Sequence, residues 1–325
     1  MIMIELDCLP DDTEEINVSS KGLTYLDVSR FKKLKTLYCD SNQLTSLYFN
    51  EHLERLYCYS NQLRSLDLNE NLQILDCGNN QLTSLLLNKK LQTLYCRNNN
   101  LTSLHTENVQ KLICCNNRLI SLHLNKNLQE LSCSRNQLTF LHLNEKLQKL
   151  SCSSNQLTSL HLNENLKELY CANNQLTSLI INAKLEKLHC SFNNLTCLQL
   201  KNVKHLYCTN NQLTYLTSST SLIILYGDSN QLTYLQLHAD LQYYACENNP
   251  IHEIIKDSDL RKINQKLKIL NQFRHLYYSL KYKKRFRDWL WVKIREPKIR
   301  VQYSHDYLVE HLHEDTDLDE LLQNW

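Results

Sequence analysis

Twelve asparagines stand in one phase along the chain, at Asn42, Asn61, Asn80, Asn99, Asn117, Asn136, Asn155, Asn174, Asn193, Asn211, Asn230 and Asn249. Eleven follow a cysteine by three residues: Cys39, Cys58, Cys77, Cys96, Cys114, Cys133, Cys152, Cys171, Cys190, Cys208 and Cys246, with Gly227 in the remaining slot. Successive copies are 18 or 19 residues apart. Leucine, or in a few copies another large apolar residue, recurs five and two residues before the cysteine and five, eight and often ten after it. Leu147, Leu150, Cys152, Asn155, Leu157, Leu160 and Leu162 form one clear copy. Self-similarity at this period predicts a solenoid whose units bury their apolar faces only against their neighbours.

Side chains alternate across a strand, so Leu150 and Cys152 are expected to point inward while Lys149, Ser151 and Ser153 point outward. Stacked copies then form a parallel sheet, about 58 Å long for twelve coils at ~4.8 Å each. Asn155 falls where the chain turns out of the strand. There its amide can bond backbone groups of adjoining coils that no sheet ladder reaches. Nineteen residues leave no room for a full helix on the convex side, which should be extended or a short 3₁₀ turn.

The pattern LxxLxCxxNxL resembles the leucine-rich repeat, and the strand cysteine followed by Leu-Thr-Ser-Leu resembles the short cysteine-ladder subtype of internalin-like repeats. The resemblance covers residues 16–255, about twelve to thirteen repeats of 18–21 residues. It implies a right-handed superhelix that serves protein–protein interaction. The opening copy, with Ile16, Val18, Leu23, Leu26 and Val28, carries Lys21 in place of the asparagine, as a frayed or capping coil would. Residues 1–15 are read as an N-terminal cap and 256–325 as a helical C-terminal module.

Fourteen cysteines could signal metal or redox chemistry, but no Cys-x-x-Cys pair occurs and ligands a coil apart do not make a zinc site. The ladder Cys39, Cys58, Cys77, Cys96, Cys133, Cys152, Cys171 is read as small apolar core, with Asn42, Asn61, Asn80, Asn99, Asn136, Asn155 and Asn174 as its structural partners. No cofactor or metal is expected. Stacked free thiols suit a reducing, intracellular setting, and the first residues lack the basic flank and apolar run of a secretory signal. The expected location is the cytoplasm, or that of a host if the protein is viral. With 3 Gly, 3 Pro, 4 Ala and 36 Asn, the chain has little material for glycine-rich phosphate loops, and this bias resembles that of an AT-rich genome. No run approaches the ~20 apolar residues of a membrane helix.

Outward strand positions are those the repeat leaves free for function. Just before the cysteine slot stand Tyr38, Tyr57, Tyr95, Tyr170, Tyr207 and Tyr226, with Ser132 and Ser151 between the two groups. Tyr59 and Tyr243 lie beside them. Tyrosine pairs large buried area with a polar tip and is rich at interfaces, so these six are candidate partner-binding residues. Equally, tyrosines are good strand formers that pack on one another. Neighbouring Arg55, Lys111, Glu130, Lys149, Glu168 and Lys187 mix signs, which suits a protein partner better than a polyanion. A second column, His105, His123, His142 and His161, reads either as a solvated face or as a transition-metal site.

After Pro250 the repeat stops. Residues 256–300 hold 15 basic and 4 acidic side chains, whereas 301–325 hold 7 acidic and none basic. Asp257 or Ser258 can cap a helix with Leu260, Ile263, Leu267, Leu270, Tyr277 and Leu280 on one face, a second helix should end near Glu296 before Pro297, and Ser304 can cap a third. The basic and aromatic stretch Lys281 to Trp291 could contact nucleic acid or lipid, with the acidic tail, Glu310 to Glu320, at hand to neutralise it. Residues 291–299 and 303–308 resemble C-terminal segments of repeat proteins of large DNA viruses.

Three functions stay open at this point. The first is a non-enzymatic scaffold binding a protein partner, a host protein if the chain is viral, through the tyrosine-bearing strand face, with no small-molecule substrate and no membrane span. The second is nucleic-acid binding by the basic helices. The third is a ubiquitin-ligase-like effector, whose thioester would have to sit on Cys8, Cys115 or Cys197.

Overall fold

The structure, a computed structural model, describes residues 6, 8–217, 220–238, 240–256, 260–292 and 296–297. Two compact units divide the chain, one running to Asn264 and the other from Gln265 onward.

In the first unit each coil contributes a three-residue strand, and among the described residues thirteen such strands form one parallel sheet in register. It runs in chain order from Glu15–Asn17 and Thr36–Tyr38 to Ile224–Tyr226 and Tyr243–Ala245. Within Lys149–Ser151 the middle residue Leu150 is buried and Lys149 is exposed. The ladder continues past each strand: Cys152 N–H donates to Tyr170 O at 2.8 Å and Ser154 N–H to Ala172 O at 2.8 Å. Other donors run back, Gln148 N–H to Gln129 O at 2.9 Å and Gln156 N–H to Leu138 O at 2.9 Å, so each coil is bonded to both neighbours and the stack is cooperative.

Five apolar side chains per coil fill the centre. Leu147, Leu150, Cys152, Leu157 and Leu160 are all buried, at 5% exposure or less. Burying a leucine stabilises by roughly 1.5–3 kcal/mol, so each coil depends on its neighbours for most of its stability. The cysteines are free thiols, and burial drives them far up from their ordinary range, Cys152 to about 12. They stay protonated and unreactive.

Opposite the sheet the chain is extended. Short parallel pairs form at both ends, Tyr25–Asp27 with Ser46–Tyr48 and Tyr215–Thr217 with Tyr234–Gln236, and His105 bridges to His123 between them. The residues before the first strand are tied to the first coil by Arg30, which pairs with Asp11 at 3.0 Å and donates to Leu6 O at 2.6 Å.

Beyond the last coil come a one-turn helix α1 (His252–Ile255) and a long helix α2 (Leu260–Leu290). The C-terminal module was expected to hold two helices before Pro297. Instead α2 runs unbroken for 31 residues, because no glycine or proline interrupts 260–290. Ile263 and Leu267 are buried, but Tyr277 and Leu280, placed on the same buried face by spacing, are 59% and 57% exposed. The caps at Asp257 and Ser258, the third helix at Ser304 and the segment 303–308 lie outside the described residues, as does most of 291–299. Among the described residues, no helix is long and apolar enough to cross a membrane.

Candidate protein-interaction face

The backbone conformation that creates this face is set just after each strand. The residue two past the cysteine slot is left-handed in every coil, from Ser41 (φ 56°) through Arg135 (55°), Ser154 (55°) and Phe192 (56°) to Asn248 (52°). That turn swings the following asparagine inward. Asn155 Nδ2 then donates to Cys133 O at 3.1 Å in the preceding coil and to Cys152 O at 3.0 Å in its own, while Oδ1 accepts from Leu138 N–H at 3.0 Å. Asn42, Asn61, Asn80, Asn99, Asn136 and Asn174 make the same set of contacts. Each amide thus satisfies a buried backbone N–H, and each cysteine carbonyl accepts from the asparagines of two successive coils, as Cys133 O does from Asn136 and Asn155.

A second asparagine column, which the sequence reading did not single out, closes the far side of the coil. Asn69 Nδ2 donates to Asn50 O at 2.9 Å and Leu53 O at 3.0 Å, and Asn88, Asn125, Asn144, Asn163 and Asn182 occupy equivalent places. Their signal was the Asn closing each Leu-x-Leu-Asn.

With backbone and core fixed, the outward strand positions form straight columns. Tyr38 and Tyr57 stack with centroids 4.8 Å apart and planes 5° off parallel. Asp76 interrupts the column, and Tyr95 stands alone with Lys111 Nζ 5.8 Å from its ring centre. Further along, five rings join in sequence. Tyr170 meets His189 at 5.2 Å, His189 meets Tyr207 at 3.7 Å, and Tyr207 meets Tyr226 at 4.9 Å and 9°. Tyr243, from two residues earlier in its strand, leans onto Tyr226 at 4.9 Å. His189, left out of the two aromatic groups at the sequence level, is the link that makes this run continuous. The rings are half-buried by one another, and each leaves an edge to solvent.

Tyr59 lies across the neighbouring coil, its hydroxyl accepting from Asn79 Nδ2 at 2.7 Å and its ring facing the Arg97 guanidinium at 5.1 Å. A Cβ at Gly78 would come within 2.9 Å of that ring, so the glycine makes room for it.

One column over, charges alternate and pair. Lys111, Glu130, Lys149, Glu168 and Lys187 are linked at 3.1, 4.0, 3.9 and 3.9 Å. Glu168 also reaches Tyr170 Oη at 3.5 Å. Burial pushes the Tyr170 and Tyr57 hydroxyls up and holds the His189 imidazole down from its ordinary value, which favours the neutral form of all three. This face sets stacked aromatic edges beside a strip of alternating, paired charges.

The other candidates are scattered. His105, His123, His142 and His161 are all exposed, with the first two rings 6.4 Å apart, and among the described residues no three His, Cys, Asp or Glu side chains gather to hold a metal. Cys8 and Cys197 are exposed, and Cys115 Sγ sits 2.9 Å from Ser132 Oγ.

Coil length, buried cysteine column and asparagine turn together decide the architecture. The chain is a leucine-rich-repeat solenoid. It superposes on the functional domain of InlJ from Listeria monocytogenes, which includes a cysteine ladder, with TM-score 0.70 and 31% identity over 78% of this chain and 61% of that one. YopM from Yersinia enterocolitica WA-314 gives 0.66 and 27%, over 74% and 61%. The leucine-rich effector protein YopM from Yersinia pestis gives 0.64 and 25%, over 75% and 80%. The leucine-rich-repeat chain thus spans about three fifths of the InlJ domain and of the enterocolitica YopM. No protein-family model matches the chain, and no curated protein matches it.

Proposed function

We propose that this leucine-rich-repeat chain is a non-enzymatic protein-interaction scaffold, and that it binds a protein partner through the tyrosine-bearing strand face. The observation that carries this reading is the run Tyr170, His189, Tyr207, Tyr226 and Tyr243, in which consecutive rings lie 3.7–5.2 Å apart on one side of a rigid sheet. Rigid aromatics lose little conformational entropy on binding and supply large contact area. Tyr38, Tyr57 and Tyr95 extend the face toward the first coils. The alternating ion-pair strip fits a partner of mixed charge, and one solved structure of similar fold is described as an effector protein. A cytoplasmic setting, that of a host if the protein is viral, suits the free thiols of the core.

Capture from a native lysate tests the reading. The intact chain is compared with a variant carrying Tyr170→Ala, Tyr207→Ala and Tyr226→Ala, whose fold is checked by far-UV circular dichroism. A partner retained by the intact chain and lost by the folded variant is expected. Equal capture by both would remove the strand face from the account.

A further inference from the structure

The long helix α2 carries a surface that nothing above uses. Ile269, Phe273, Leu276, Tyr277 and Leu280 follow the i, i+3, i+4 spacing of one helical stripe, and all are at least 50% exposed. Directly after the stripe come Lys281, Lys283, Lys284, Arg285 and Arg287. Residues 265–292 hold eight basic side chains and one acidic, Asp288, for a net charge of +7. Among the described residues, Lys283, Lys284, Arg285 and Arg287 make no ion pair. Neighbouring like charges three and four residues apart destabilise a helix, so this stretch calls for a counter-charge.

The chain itself carries one of matching size. Residues 301–325 contain seven acidic and no basic side chains, net −7, and place Leu308, Leu312, Leu318 and Leu322 among the acids. We infer that this acidic C-terminal segment docks along α2, its leucines on the stripe of Ile269, Phe273, Leu276 and Leu280 and its carboxylates on the cluster Lys281 to Arg287. Charge complementarity and the mixed apolar and acidic pattern favour it over a nucleic acid, which would bring no leucines. Tethering supplies it at an effective concentration on the order of millimolar, ahead of any free competitor. The docked segment would screen the basic cluster, and so keep nucleic acids off it.

The test uses the full chain and a variant in which Glu310, Glu314, Asp315, Asp317, Asp319 and Glu320 are changed to the corresponding amides. Amide hydrogen exchange across 273–287 is measured in both. Exchange faster by about tenfold or more in the variant, at every protein concentration tried, is expected. Equal exchange overturns the proposal. Protection in the full chain that grows with protein concentration also overturns it, by assigning the site to the tail of a second copy. A labelled single-stranded DNA of about 20 nucleotides is then titrated into each. Tighter binding to the variant by about tenfold, narrowing as salt rises, agrees with a screened cluster; tight and equal binding to both shows an open cluster that takes nucleic acid, and contradicts the docking.

Discussion

Each asparagine of the first ladder ties together three backbone groups of two adjoining coils. For Asn155 these are the carbonyls of Cys133 and Cys152 and the amide of Leu138. Asn155→Ala strands the Leu138 amide in a dry interior and takes one of two donors from each carbonyl, which Asn136 and Asn174 also reach, so a loss of about 1–3 kcal/mol is expected in urea unfolding, against under about 0.5 kcal/mol for exposed Gln156→Ala. The residue before the asparagine works in the opposite sense. Phe192 holds a left-handed φ of 56° while its side chain is 52% exposed, so the fold bears the cost of the conformation with little packing in return. Phe192→Gly is expected to stabilise by about 0.5–1 kcal/mol, read as a rise in the urea midpoint; a fall would show that the ring contributes more than the backbone costs. The vacancy at Gly227 offers a related test. A Cβ there would lie 3.4 Å from Cys246 Sγ, in ordinary contact, so Gly227→Ala should raise stability by about 0.4–1 kcal/mol by restricting the unfolded chain.

Among the elements, the aromatic run responds to pH through one member. His189 is half-buried between Tyr170 and Tyr207, and burial holds its pKa below the ordinary 6.5. The folded state therefore takes up a proton less readily than the unfolded chain. Its contribution to stability is complete above the unfolded value and is lost as pH falls from about 6.5 toward the lower folded one. The protein should lose more stability between pH 7 and pH 5 than the His189→Tyr variant does, measured by denaturant unfolding at each pH; parallel losses would contradict this. The run was only partly legible in the sequence. Period alone aligns Tyr170, Tyr207 and Tyr226, but whether His189 stacks or turns away depends on side-chain packing that a column of letters does not contain. Left-handed positions were hidden because Ser, Asn, Arg and Phe all occupy them. The second asparagine column is written in Leu-x-Leu-Asn, a weaker signal than Cys-x-x-Asn because exposed turns favour asparagine as well. In the tail, helical spacing marked Tyr277 and Leu280 as buried. Spacing reports that a stripe exists, not what covers it.

At the scale of the whole molecule, strand register repeats with the coil, since Lys149 pairs with Glu130 on one side and Glu168 on the other. Removing one whole coil, residues 137–155, joins Asn136 to Gln156 and preserves the leucine, cysteine and asparagine ladders, though it takes Lys149 from between Glu130 and Glu168, so the shortened chain should fold with an unchanged circular-dichroism shape. Removing residues 137–146 alone should abolish folding, because it sets all later side chains out of phase with the core. Such rigidity is what lets one face present aromatic residues from many coils at fixed spacing, and the claim that this face meets a protein can be tested by crosslinking from it. A photo-crosslinking residue is placed at position 207 on the strand face, and separately at position 142 on the opposite side, and each protein is irradiated in native lysate. Crosslinking of one protein from position 207 and none from position 142 is the expected result; a crosslink from position 142 with position 207 silent would contradict the account.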